Sequence, residues 1–204
     1  MLQFAICLAG AFFLFSACGH RAQPNPAIAA DSSSRADSAG QDFFPVAEVL
    51  ESEIRTVDST PMAIKEYSFS GGKTDSSFLK PVQFEALARQ FLVPEFRDGS
   101  FERDFTENSF IDNATQDATF TYSTGNKDLP LQRVDIIASP KGAVHMMKSV
   151  YLERSRVSGD SSILEKMYWR AGKGFEVIRL VHVKGGAPTE QREKVVWDGS
   201  GENE

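Results

Sequence analysis

Cysteine is scarce in this chain of 204 residues, where only Cys7 and Cys18 occur. Because both lie within the first eighteen positions, the rest of the chain can form neither a disulfide nor a thiolate metal site. Nine prolines and 15 glycines are too few for a low-complexity or collagen-like protein. The folded part must therefore be stabilised by a hydrophobic core, for which 12 of the 16 phenylalanines are available, since four lie in residues 1–17.

Positive charge is also in short supply, since 22 Lys and Arg face 28 Asp and Glu, a net charge of −6. This balance argues against a nucleic-acid partner.

The charge is unevenly placed, because residues 127–198 hold 13 basic and 9 acidic side chains. These basic residues could meet a polyanion such as a lipid headgroup or a surface glycan, or could simply alternate with acids on an outward sheet face. The residues concerned are Lys148, Arg154, Arg156, Lys166, Arg170, Arg179, Arg192 and Lys194.

The amino-terminal segment, residues 1–17, carries no charged side chain and is rich in Phe and Leu. It is shorter than the roughly 20 residues of a spanning helix and has the pattern of a signal peptide. At its end, Phe15-Ser16-Ala17-Cys18-Gly19 places small residues directly before a cysteine. This short sequence resembles the lipobox of bacterial lipoproteins. The alternatives are an ordinary signal peptide that happens to contain a cysteine, or an uncleaved apolar tail.

The lipoprotein resemblance implies a diacylglycerol on the Cys18 thiol, cleavage just before Cys18, and palmitate or another acyl chain on the new amino terminus. Gly19, rather than Asp, follows the cysteine and resembles an outer-membrane address facing the periplasm of the cell envelope. Residues 18–41, rich in Ala, Ser, Pro and Asp, are expected to be a flexible tether. Residues 42–198 are expected to fold and residues 199–204 to be a disordered tail.

Two helices are predicted in the first half of the folded part. Asp42 can cap a helix that begins near Pro45 and carries apolar residues at helical spacing up to Val57. A second helix is predicted from Pro81 to Val93. It has one apolar stripe, formed by Phe84, Leu87, Ala88, Phe91 and Leu92, and Glu85, Arg89 and Gln90 are expected to face water.

Strand patterns dominate the rest. Met62 to Phe69 and Lys73 to Phe78 flank Gly71-Gly72 and predict a hairpin. Short glycine-containing connections join the later strands, which favours antiparallel pairing. The predicted fold class is α+β: a single domain with a meander of about six antiparallel strands, preceded by two helices and a hairpin. The six are Thr115–Thr124, Leu131–Ala138, Val144–Arg156, Ile163–Arg170 (which also fits a helix), Phe175–Val183 and Gln191–Trp197.

Apolar residues occur on both faces of several predicted strands, for example Val144 and Val150 against Met147 and Tyr151. A sheet with one covered face would need only one parity. Either the helices cover one face while the hairpin and the termini cover part of the other, or the sheet curls around an apolar groove.

No catalytic residues, cofactor or metal are predicted. Between Asp98 and Asp117 the chain is acidic, but Asp112 to Asp117 lacks the alternating ligands and central Gly of an EF-hand loop, so a solvated connection is expected. The best candidates for a ligand or partner surface are aromatic residues, since Tyr and Trp combine apolar area with a polar group. They are Tyr151, Tyr168, Trp169 and Trp197.

The function expected from these features is that of an envelope-anchored lipoprotein with a non-enzymatic domain that binds another protein or scaffolds an assembly. The anchor, the tether and the lack of a recognisable catalytic site all favour it. The alternative is a carrier or sensor of an apolar ligand held between a curled sheet and the helix from Pro81 to Val93. A hydrolase is a third, less favoured possibility.

The lipid anchor can be tested at Cys18. We expect Cys18→Ala to abolish incorporation of radiolabelled palmitate and to leave an unprocessed or soluble protein. The physical reason is that acyl burial, at roughly 0.8 kcal/mol per CH₂, would be what holds a polar domain on the bilayer. If palmitate is absent from the wild-type protein as well, the lipobox interpretation is wrong.

Overall fold

The structure, a computed structural model, describes residues 43–141 and 144–198. The expected signal peptide, Cys18, the tether, the expected helix cap Asp42 and the tail from residue 199 lie outside the described residues. Among the helices within 43–141 and 144–198, none is long and apolar enough to span a membrane. The elements are α1 (Val46–Ser59), β1 (Ile64–Ser70), β2 (Lys73–Leu79), α2 (Pro81–Ala88), α3 (Ser100–Asp104), β3 (Thr106–Ile111), β4 (Ala118–Ser123), β5 (Leu131–Lys141), β6 (Val144–Ser158), β7 (Ser161–Arg170), β8 (Gly174–Val183) and β9 (Thr189–Val196).

The strands form one antiparallel nine-stranded sheet in the order β2-β1-β9-β8-β7-β6-β5-β4-β3. Strands β3 to β9 are a meander in which each strand pairs with its neighbour in sequence. The β1–β2 hairpin extends this sheet by pairing β1 with β9. The fold is thus α+β, as predicted, with its strands gathered into a single sheet.

The prediction of a six-stranded meander is wrong, because β3 makes it seven. Residues 106–111 were expected to belong to a solvated acidic connection, but they pair with β4 from Thr106↔Ser123 to Ile111↔Ala118. This edge strand is exposed over most of its length, so its sequence has no apolar alternation that would reveal it. Beyond the paired segment, the backbone turns between Asp112 and Asp117, with Gln116 at a positive φ of 62°.

The hairpin and the ambiguous strand are confirmed. Gly71 and Gly72 have φ values of +56° and +75°, as the tight turn between two paired strands requires. Residues 161–170 form β7 and not a helix. Along β7, Glu165, Met167 and Trp169 are buried and alternate with exposed residues, which is the period of a strand with one covered face.

Both predicted helices form. In α1, the buried residues Val46, Leu50, Ile54 and Val57 recur every three or four positions. Pro81 stands at the first turn of α2, where a missing N–H costs nothing, and Gln83 Oε1 accepts a hydrogen bond from the Lys80 backbone N–H at 2.9 Å.

The second helix is shorter than predicted. α2 ends at Ala88 and continues as a single 3₁₀ turn from Arg89 to Phe91. The predicted stripe nevertheless faces the interior: Phe84, Ala88 and Phe91 are fully buried, while Leu87 and Leu92 are half-buried and pack at the margin of the core. The apolar spacing therefore predicted the buried side of the helix better than its end.

The helices cover one face of the sheet through aromatic packing. The Phe91 ring centroid lies 5.3 Å from both Trp169 and Phe175, and the Phe84 ring lies 5.3 Å from Trp197. Trp169 lies on β7, Phe175 lies on β8 and Trp197 directly follows β9. We call this side of the sheet the covered face.

A second aromatic group continues the covered face toward β4. The ring of Phe101, on α3, packs 4.9 Å from Tyr122 and 5.3 Å from Phe43. The Tyr122 hydroxyl accepts a hydrogen bond from the Phe44 backbone N–H at 3.0 Å. Burial raises the pKa of Tyr122 well above its ordinary value, so this phenol stays neutral and packs as part of the core.

Phe91 gives a test of the helix–sheet interface. We expect Phe91→Ala to lower the free energy of unfolding by about 3 to 5 kcal/mol, because it removes a fully buried ring and leaves a cavity. Denaturant unfolding of the full chain in detergent would measure this.

Val82→Ala is the matched control, since Val82 lies on the same helix and is 68% exposed. It should change stability by no more than about 0.5 kcal/mol. Equal losses in the two variants would contradict the packing described above.

Candidate functional site

The face opposite the helices is the candidate functional surface. Alternation along β7 puts Met167 and Trp169 on the covered face and Lys166, Tyr168 and Arg170 on the opposite face. The residues that pair with these three in neighbouring strands point to the same side. We call this side the open face, since among the described residues no helix packs on it.

The predicted aromatic surface is divided between the two faces. Tyr151 and Tyr168 pair directly across β6 and β7 on the open face, so the structure brings these two together. Trp169 and Trp197 are buried on the covered face, with ring centroids 5.4 Å apart, and act as core residues. The sequence contained this signal, because adjacent residues of a strand, such as Tyr168 and Trp169, point to opposite faces.

Tyr151 and Tyr168 differ in their exposure on the open face. Tyr151 is half-buried and its hydroxyl donates a hydrogen bond to Glu153 Oε2 at 2.9 Å. Burial and then this hydrogen bond raise the pKa of Tyr151 well above its ordinary value. Tyr168 is 39% exposed and is the more accessible ring. Of these two tyrosines, Tyr168 is therefore the one that a partner on the open face can contact.

Two carboxylates of the open face, Asp135 and Glu176, are paired with arginines. Asp135 accepts hydrogen bonds from Thr121 Oγ1 at 2.7 Å and from Arg133 Nε at 2.8 Å. Glu176, the register neighbour of Tyr168, forms an ion pair with Arg192 on β9. These acids keep little free charge for a partner.

Three cations of the open face have no carboxylate partner among residues 43–141 and 144–198: Lys65, Lys166 and Arg170. The Lys65 ammonium lies over the ring of Tyr67, 4.9 Å from its centroid. Lys166 and Arg170 are among the basic strand residues named from the sequence, whereas Lys65 is not. Strand alternation predicts only which residues of one strand share a face. That Lys65 lies on the same face as Lys166 and Arg170 follows from the register of β1 on β9.

Three arginines of the central strands, Arg154, Arg156 and Arg179, lie on the covered face and surround one buried carboxylate. Glu165 accepts hydrogen bonds from Arg156 at 2.9 Å, from Arg179 at 3.2 Å and from Arg154 at 3.4 Å. Its side chain is only 6% exposed. These arginines lie beyond the aromatic packing, where the helical layer ends, and are engaged within the protein.

Gln90 joins this ionic cluster to the helical layer. It was expected to face water, but its Oε1 accepts a hydrogen bond from Arg179 Nη2 at 2.6 Å. Its amide nitrogen also donates to Glu193 at 3.4 Å. The change to 3₁₀ geometry after Ala88 precedes this residue directly, and sequence periodicity does not predict that change.

The acidic segment uses its carboxylates internally. Asp112 Oδ1 caps the turn by accepting the N–H of Ala114 at 2.7 Å. Asp117 accepts hydrogen bonds from Lys148 Nζ at 2.7 Å and Ser139 Oγ at 2.6 Å, and these two lower its pKa. Within the described part of the chain, no group of three or more His, Cys, Asp or Glu side chains could hold a metal ion.

The space between α2 and the sheet is the alternative site for an apolar ligand. It is occupied by Phe84, Phe91 and the rings that they contact. A depression of about 330 Å³ lies elsewhere, at the β6–β7 turn. It is lined by Val157, Asp160 and His182, among others, and opens widely to solvent.

The chain matches no protein-family model, and no curated protein and no solved structure shows significant similarity to it.

The buried carboxylate yields a stability prediction. Glu165→Ala should lower the free energy of unfolding by about 3 to 5 kcal/mol, because it leaves the largely buried Arg154, whose side chain is 15% exposed, without its ion pair and also removes the carboxylate that Arg156 and Arg179 share. Urea unfolding of wild-type and variant proteins would measure the difference.

Asp160→Ala is the control for this variant, since the Asp160 side chain is 78% exposed and its Oδ1 atom lies as far as 4.0 Å from Lys184 Nζ. Loss of such an exposed pair should cost at most about 0.5 kcal/mol. If Glu165→Ala costs no more than Asp160→Ala, the arginines do not depend on Glu165.

Proposed function

We propose that this protein is a lipoprotein of the cell envelope, held in the outer membrane through a lipid on Cys18 and facing the periplasm. Its α+β domain, on the tether of residues 18–41, has a non-enzymatic role: it binds another protein through the open face, or scaffolds an assembly there. The lipobox-like sequence before Cys18 supports the anchor.

The observation that carries the binding role is the unequal covering of the two sheet faces. The buried aromatic residues point toward the helices, while the open face has no helix on it among the described residues and presents Tyr168 between Lys166 and Arg170. Tyr and Arg are enriched in protein interfaces, so Tyr168 and Arg170 are the two residues of this surface that favour a protein partner.

The extent of the sheet also supports a protein as partner. Strands are about 4.8 Å apart, so the distance from β7 to β1 across β8 and β9 is about 14 Å, enough for an extended segment or a helix to lie across it. The interface between α2 and the sheet, by contrast, is filled by aromatic rings, so no comparable observation supports the apolar-ligand alternative.

Photo-crosslinking in intact cells tests the binding role. A photoreactive phenylalanine in place of Tyr168 should give a crosslinked protein of defined mass, in an amount comparable to the free form. The same residue in place of Val82, which is exposed on the helical side, should not give this product.

A second control uses Cys18→Ala, in which the product should fall if the anchor brings the domain to an envelope partner. Equal crosslinking from positions 168 and 82, or none from position 168, would contradict a protein-binding open face.

A further inference from the structure

We infer that the open face binds an acidic segment of its protein partner through Lys65, Lys166 and Arg170. This inference rests on the proposed function and specifies the chemistry of the partner. It starts from the charges on the face: the acids Asp135 and Glu176 have arginine partners, whereas these three cations have no carboxylate at ion-pair distance among the described residues. Glu153, the register neighbour of Lys166 on β6, accepts a hydrogen bond from the Tyr151 hydroxyl instead.

The positions of the cations follow from strand geometry. Lys166 and Arg170 are four residues apart on β7, which separates their Cα atoms by about 13 Å. Arg170 is in register with Gly174, Gly174 with Val196, and Val196 with Lys65. Three strand spacings therefore place Lys65 about 14 Å from Arg170 along the same row. The cations mark three corners of a surface that an extended acidic segment can cross.

Small residues flank Arg170 on both neighbouring strands. Its partner on β8 is Gly174, and its partner on β6 is Ser149, whose short side chain is buried. A Cβ on Gly174 would lie 2.4 Å from the Val195 carbonyl oxygen, so the backbone packing itself excludes a side chain here. The Cγ1 atom of Val196 lies 3.2 Å from the same Cβ position, so Val196 of β9 is the side chain that a carboxylate bound to Arg170 would meet on this side.

Tyr168 separates Lys166 from Arg170 on the open face and gives the surface an apolar centre. An acidic segment that also carries an apolar or aromatic residue would place it against this ring while its carboxylates reach the cations. Charge complementarity of this kind increases the association rate and selects among partners more than it adds affinity.

An anionic membrane and this chain's own tether fit the open face less well. Membrane-binding patches typically cluster four to eight Lys and Arg, whereas here three cations are spread out among neutralised acids. Residues 18–41 contain two Asp and two Arg, so the tether has no excess acid to offer. A protein segment with several carboxylates is the occupant that these charges favour.

The experiment uses the full chain in phosphatidylcholine nanodiscs and a fluorescein-labelled oligoglutamate peptide that contains one tyrosine, followed by fluorescence anisotropy. Lys166→Glu combined with Arg170→Glu should raise the Kd at least about tenfold, since it replaces attraction by like-charge repulsion. Salt near 1 M, at which the Debye length is about 3 Å, should weaken binding of the wild-type protein.

Arg55→Glu combined with Arg89→Glu is the matched control. Both side chains are on the helical side, 70% and 62% exposed, and the change in net charge is the same. The Kd of this control should stay within about twofold of the wild-type value. A Kd that rises equally in both double variants would overturn the inference, because binding would then follow net charge and not the open face.

The rate of Lys166 acetylation, measured by mass spectrometry, identifies the occupant. Protection by oligoglutamate in neutral nanodiscs supports the inference. Protection by phosphatidylglycerol in the discs without peptide would mean a lipid-binding surface, and protection that grows with protein concentration would mean a second copy; either result overturns it.

Two further outcomes separate this inference from the proposed function. If the peptide does not bind but crosslinking from position 168 still gives a protein partner, the acidic segment is wrong and the binding role stands. If both experiments fail, the open face is not a protein-binding surface.

Discussion

The packing of Phe84 and Phe91 against Trp169, Phe175 and Trp197 is the interaction on which the rest of the structure depends. Burial of aromatic side chains is the largest favourable contribution available to a domain that has no cysteine after position 18. This contact fixes which face of the sheet the helical layer covers. The opposite face then carries a mixture of charged residues, tyrosines and aliphatic side chains such as Ile178 and Leu164.

The limit of the helical layer explains the ionic cluster around Glu165. Sheet residues beneath the helices are apolar, but beyond the 3₁₀ turn the same face carries Arg154, Arg179 and Glu193. Charges so close to the core are tolerated only when paired, and here the arginines share one carboxylate while Gln90 bonds to Arg179. The cluster marks the boundary between the packed and the solvated parts of the covered face.

The open face follows a different rule, because its side chains need partners only where they are partly buried. Asp135, Glu153 and Glu176 each accept a hydrogen bond or an ion pair from a neighbour. Lys65, Lys166 and Arg170 remain available to solvent or to a binding partner. The proposed role of this face depends on that difference and on the lipid anchor proposed at Cys18.

Local sequence determined the buried side of α1 and α2, the β1–β2 turn and most strands of the meander, because apolar spacing and glycine turns are local signals. It did not reveal β3, which is an edge strand with little burial and so carries no alternation. Tertiary structure alone decided which parity of each strand lies under the helices, and thereby placed Trp169 in the core and Tyr168 on the surface. It also decided which charges meet, since the pairing of Arg192 with Glu176 depends on the register of β9 on β8, a long-range property that no sequence window contains.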